Sequence, residues 1–224
     1  VFAHGAINIA GNYLANSGGS GGSGANGANG GDALGGVGSI VADGGLIIFG
    51  GEARTRWTTN GGNIISGNGS GGNAQGGLAE MIARNGGNLQ LLGVSGFSGD
   101  ANIAGHLLAT ASGLGGTEFI DPENQYADLG GNGTGGTVNI FANGGNIIGT
   151  SAVAALANGH GGIGVVEGGT GTGGTVNIQA INGLLDFSSG ADTMVLSMSG
   201  FGGDAVSETD GAGNILRGGG IGGD

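Results

Sequence analysis

The chain holds 224 residues, of which 63 are glycine, one is proline and none is cysteine, and its 16 carboxylates against four arginines leave a net charge of −12. This composition excludes collagen, whose Gly-X-Y helix needs abundant proline, and it excludes disulfide scaffolds, zinc fingers and thiol redox sites. Four arginines on so acidic a chain also argue against nucleic-acid binding through phosphate contacts. A hydrophobic share of 38% beside 9% charged residues does not fit ordinary disorder. No apolar run approaches the roughly 18 to 20 residues of a membrane helix, so membrane insertion is not expected.

Taken in chain order, the first element is Ala6-Ile7-Asn8-Ile9, a worn copy of a strand seen more clearly further on. Residues 18–32 follow, with glycine at every third position: Gly18, Gly21, Gly24, Gly27 and Gly30. Two readings stand for this stretch and its relatives near 93–99, 130–136 and 168–174. One is flexible linker. The other is an extended helix of three residues per turn, with a glycine line along which neighbouring backbones approach and hydrogen-bond as in polyglycine II.

Asp43-Gly44-Gly45 then introduces the short apolar run Leu46–Phe49. Asn60-Gly61-Gly62-Asn63-Ile64-Ile65 recurs letter for letter as Asn143-Gly144-Gly145-Asn146-Ile147-Ile148, with variants at Asn85 and Asn182. Asn or Asp followed by glycine tolerates the positive φ of sharp corners. Corners are therefore expected at Asp43, Asn60, Asn85, Asn143 and Asn182. Between the first two lies Trp57, flanked by Arg54 and Arg56. Aligned on its corner, Trp57 falls where Ile140 sits, as a core or edge residue. The functional alternative is an aromatic platform for stacking a sugar.

The strand Thr137-Val138-Asn139-Ile140, after Gly135-Gly136, returns as Thr175-Val176-Asn177-Ile178. Alternation at period two points Val138 and Ile140 inward and Thr137 and Asn139 outward. A third pair is Ser95–Ala101 with Ser199–Ala205, both reading Ser-Gly-Phe-x-Gly-Asp-Ala. Three recurring motifs predict an all-β repeat fold. Strands that recur without a partner of fixed register favour parallel stacking over hairpins. The expectation is a single repetitive domain over 1–224, a parallel β-solenoid or β-helix with glycine-rich inserted loops. The 17 residues from Asp43 to Asn60 would close one coil of three short strands, which gives about 6 to 9 coils at the usual strand spacing.

Chemistry-bearing residues are few. Glu118–Asp128 carries Asp121, Glu123 and Asp128 around Pro122, a solvated loop that also has the ligand types for calcium or glycoside hydrolysis. Gly219–Asp224 matches the opening of the calcium-binding nonapeptide of β-rolls and ends on Asp224, but Asp32, Asp100 and Asp204 lie too far apart for tandem repeats. His4, His106 and His160 lack metal-ligand spacing. No catalytic residue, metal or other cofactor is assigned, with calcium the only candidate.

The Gly-Gly-Thr-Val-Asn-Ile and Asn-Gly-Gly-Asn-Ile-Ile motifs and the Gly-Gly-Thr-Gly-Thr-Gly-Gly spacer together resemble glycine-rich β-strand-repeat exoproteins of bacteria. These are similar in style to filamentous haemagglutinin and autotransporter passenger domains. The resemblance implies a β-solenoid secreted to the outer surface, with adhesion or biofilm roles and no catalytic residues. The expected function is a non-catalytic module of an extracellular filament or fibrous surface adhesin. It would associate end to end with itself or with adjoining repeats of the same chain, and with extracellular polysaccharide. The alternatives are a calcium-dependent β-roll module or a β-helical carbohydrate-active enzyme.

Overall fold

The computed structural model describes residues 1–16, 18–25, 28–61, 69–92, 103–112, 129–150, 152–164, 167–187, 194–204, 208–209 and 215–217. At 55–58, 103–112, 152, 208–209 and 215–217 it describes backbone alone. Every element is a β-strand, and no helix occurs among the described residues.

The chain makes repeated passes of similar layout. The first runs through β1 (Phe2–Ala3), β2 (Ala6–Ile9), β3 (Tyr13–Asn16) and β4 (Ala33–Leu34). The second holds β5 (Val37–Asp43), β6 (Leu46–Phe49), β7 (Ala53–Asn60) and β8 (Ala74–Gln75). The third holds β9 (Leu78–Arg84), β10 (Asn88–Leu91), β11 (Ile103–Ser112) and β12 (Gly133–Thr134). The fourth holds β13 (Thr137–Asn143), β14 (Asn146–Gly149), β15 (Ala152–Leu156), β16 (Gly159–His160) and β17 (Gly171–Thr172). The fifth holds β18 (Thr175–Ile181), β19 (Leu184–Asp186), β20 (Val195–Ser197) and β21 (Gly200–Phe201). A separate antiparallel pair joins β22 (Glu208–Thr209) to β23 (Ile215–Arg217).

Among the described residues the first four passes enter four sheets in the same order, and the fifth enters the first three. The first sheet is β1-β5-β9-β13-β18 and the second is β2-β6-β10-β14-β19. The third joins β3, β7, β11, β15 and β20 with β16 and β21, and the fourth is β4-β8-β12-β17. Each named strand pairing in these four sheets is parallel. The repeated strand pairs with its own copy, Thr137 to Thr175, Val138 to Val176 and Ile140 to Ile178.

The distance between passes corrects the expected coil. Equivalent residues lie 41 positions apart from Ser39 to Glu80, 59 from Glu80 to Asn139 and 38 from Asn139 to Asn177. Asp43 ends a strand of the first sheet whereas Asn60 ends one of the third, opposite Ser112. The 17 residues between them thus carry the chain across sheets and close nothing. Among the described residues the five strands of the first sheet mark five passes, against the expected six to nine. Trp57 likewise pairs with Ala109 in the third sheet, while Ile140 pairs with Met81 in the first. Ala6–Ile9 lies in the second sheet against Leu46–Phe49, so it is not a copy of Thr137–Ile140.

The core lies between the first three sheets. Ile40, Met81, Val138 and Ile140 from the first sheet meet Ile47, Phe49, Leu89, Leu91 and Ile147 from the second, all fully buried. Burying each side chain of this size contributes about 1.5 to 3 kcal/mol. Val138 and Ile140 point inward and Thr137 and Asn139 lie half-exposed, as their alternation predicts. On the side of the fourth sheet the interior changes character. A Cβ at Gly133 would meet the carbonyl of His160, one at Gly159 that of Thr172, and one at Gly171 that of Phe201. Here backbone packs directly on backbone, because the residues have no side chains.

Candidate functional site

The most elaborate polar geometry sits at the corners between the first and second sheets. Asp43, Asn85, Asn143 and Asn182 each stand between a strand of the first sheet and one of the second. Asn85 and Asn182 adopt positive φ, 53° and 50°, and at the other two corners the following glycines do so, Gly44 at 69° and Gly144 at 68°. The second glycine serves a different need. A Cβ at Gly145 would meet the carbonyl of Gly87 and the backbone of Ala83 and Arg84 in the preceding pass. Asn60 stands outside this column, at the end of β7.

Asp43 anchors the first of these corners. Its Oδ1 accepts from Asn85 Nδ2 at 2.6 Å and its Oδ2 from Arg84 Nη2 at 3.0 Å. The Arg84 guanidinium also lies 5.9 Å from the centre of the Phe2 ring. His4 Nδ1 sits 2.9 Å from the Asp43 carbonyl, which can only accept, so this nitrogen carries the proton. The hydrogen bond from Asn85 holds the Asp43 carboxyl below its ordinary range. Partial burial opposes that shift, and the bond and charge of Arg84 with the charge of His4 reinforce it. The group is a clasp between two passes.

Similar clasps run up the outside. Asp32 Oδ1 accepts the backbone N–H of Asn73 at 2.9 Å, and Asn73 Oδ1 accepts that of Asn132 at 2.9 Å. Asn132 Oδ1 accepts the N–H and hydroxyl of Thr170 at 2.8 and 2.9 Å. On the first sheet Ser39 and Asn139 both donate to Glu80 at 2.8 Å, and Asn177 donates to Asn139 at 2.9 Å. Sequence reading missed these columns. Their signal was a polar residue two places from another in Asn73-Ala74-Gln75, Asn132-Gly133-Thr134 and Thr170-Gly171-Thr172.

The glycine-rich segments bond in two directions. Along the stack, Gly71, Ala74 and Gly76 donate to Leu129, Asn132 and Thr134 at 2.8 to 2.9 Å. Gly130, Gly133 and Gly135 repeat this to Glu167, Thr170 and Thr172. Across it, Gly162 donates to Gly131 at 2.8 Å and Gly203 to Gly169 at 2.8 Å.

Reactive geometry is sparse. Buried Glu52 lies 3.9 Å from Arg54. His160 stacks on Phe201 at 4.8 Å. A surface depression of about 140 Å³ is lined by Leu129, Asn132, Glu167 and Thr170, with one carboxylate. No group of three His, Asp or Glu suited to a metal occurs among the described residues. Asp121, Glu123, Asp128, Asp224 and the motif Ser95–Ala101 lie outside those residues, as does the side chain of Trp57. Arg54 shares a strand with Trp57, while His106 pairs with Arg54 across sheet partners. The sequence matches no protein-family model, and neither a curated protein nor a solved structure matches it.

Proposed function

We propose that the chain is a parallel β-solenoid acting as a non-catalytic structural module of an extracellular filament or fibrous surface adhesin. One observation carries this reading: each pass returns to the same sheets in parallel register, so each unit is a template for the next. The polar residues are spent on joining passes, through Asp43, Glu80, Asn132 and their partners. The glycine segments read as polyglycine II-like where donors stand three residues apart, Gly130 and Gly133 meeting Glu167 and Thr170, and pass into the two-residue spacing of a parallel strand from Gly133 to Gly135. Their ordering is costly for glycine, and backbone hydrogen bonds worth about 0.5 to 1.5 kcal/mol each offset it.

Resemblance to bacterial surface exoproteins supports the extracellular placement, with adjoining repeats, further copies or polysaccharide as partners. Antibody labelling of intact, unpermeabilised producing cells tests the placement. Surface signal is expected, and signal only after permeabilisation would contradict it. The calcium β-roll alternative is separated by thermal melting with and without chelator. An unchanged Tm is expected, whereas a large fall in chelator would transfer the assignment to a calcium module.

A further inference from the structure

Asn followed by Gly is a pair prone to deamidation, because glycine leaves the next amide nitrogen unhindered in its approach to the Asn side-chain carbonyl. The pair recurs along this chain, and neighbouring passes hold it in a repeated way. Asn132 Oδ1 accepts the N–H of Thr170 at 2.8 Å, while the Gly133 N–H donates to the Thr170 carbonyl at 2.9 Å. Asn29-Gly30 grips both backbone groups of Ser70 alike, at 3.0 and 2.9 Å, and Asn158-Gly159 those of Ser199, at 2.9 and 3.0 Å. Asn85-Gly86 is held from two sides. Asn85 Nδ2 donates to Asp43 of the preceding pass, and the Gly86 N–H donates to the Gly144 carbonyl of the following one. In all four pairs the side-chain amide and the next N–H, the two groups that would react, are bonded to other passes.

We propose that these Asn-Gly pairs, Asn85-Gly86 above all, are modification sites that the stacked passes keep shut and that open when neighbouring passes separate. The step needs only solvent water. The Gly86 nitrogen gives up its proton and attacks Asn85 Cγ. A C–N bond forms, the Cγ–Nδ2 bond breaks, and Nδ2 leaves as ammonia. Water then opens the succinimide, at Cγ to leave aspartate or at the main-chain carbonyl to leave isoaspartate. An N–H bonded to a carbonyl is not free to ionise, so the reaction waits on local opening. The consequence differs by site. At Asn132 an aspartate keeps the acceptor, as Asp32 shows in the same column: its Oδ1 accepts the Asn73 N–H while the Ala33 N–H donates to the Asn73 carbonyl. At Asn85 the donor is lost and a carboxylate replaces it against Asp43 Oδ1, across a contact that now measures 2.6 Å. Like charges there repel, so a pass opened and modified at Asn85 does not close again as before. Separation of passes is thereby recorded as a covalent change.

The test compares the parent chain kept folded in mildly alkaline buffer with the same chain unfolded in urea. Samples are quenched and digested with pepsin in acid, and deamidation is read at each site by peptide mass mapping. Conversion at Asn85 and Asn132 is expected to run at least about tenfold slower in the folded chain. Equal rates in the two states would overturn the proposal. The consequence at Asn85 has its own readout. Asn85→Asp, which installs the aspartate product, should lower Tm at neutral pH by several degrees, whereas Asn132→Asp should leave it nearly unchanged. Equal shifts from the two variants would overturn the claim that modification at Asn85 prevents reclosure. The rate comparison uses the parent chain, so it stands even where Asn85→Asp fails to fold.

Discussion

Asp43 receives hydrogen bonds from two residues of the next pass, and its acidity follows from them. A carboxyl held below its ordinary value of 3.8 contributes stability that is complete above that value. This contribution is lost as pH falls through the lower, folded-state value. Asp43→Asn is therefore expected to lower Tm at neutral pH, with the gap to the parent chain closing on acidification below 3.8. A gap that is constant with pH would remove the charge from the explanation. The two corner glycines fail differently on gaining a methyl group. Gly144→Ala is expected to lose about 1 to 2 kcal/mol from its left-handed backbone. Gly145→Ala should lose more, since its Cβ meets backbone of the preceding pass. Gly5→Ala, with nothing within 4 Å, is the near-neutral control. Urea midpoints of the three variants measure this order.

At the level of elements, strands and glycine segments are held by different forces. Ile147 is fully buried at the centre of its column, and Ile147→Ala should cost about 2 to 5 kcal/mol in chemical denaturation. The glycine segments gain little from burial, and their order depends on backbone hydrogen bonds. Amides of Gly71, Gly76, Gly130 and Gly133, each bonded to a neighbouring pass, should exchange slowly with solvent. Complete exchange within seconds would show mobile linkers. The strands were legible in the sequence because Val138 and Ile140 alternate with polar residues, as only a half-buried strand requires. Asn143 and Asn182 were legible as corners because a side chain that tolerates positive φ stands beside glycine. Asn60 misled because local chemistry at a bend is the same whichever sheets it joins. The outer ladder of Asp32, Asn73 and Asn132 left a local signal in its polar-x-polar triplets, but which triplets pair depends on register between passes of unequal length.

Across the whole molecule, the pass is the unit of construction, and insertions between sheets change its length without disturbing pairing. Passes separated by 59 residues and by 38 share the same column through Glu80, Asn139 and Asn177. No motif spacing in the sequence could supply that constancy, because the variable part lies outside the paired strands. The direct test is to map strand pairing in solution by amide-to-amide nuclear Overhauser contacts on isotope-labelled protein of 20.9 kDa. Leu89 is expected to contact Ile47 on one side and Ile147 on the other, in parallel geometry. An antiparallel ladder folding back across Asp43-Gly44-Gly45-Leu46, with Ala42 paired to Ile47, would contradict stacked passes and make the chain a series of hairpins.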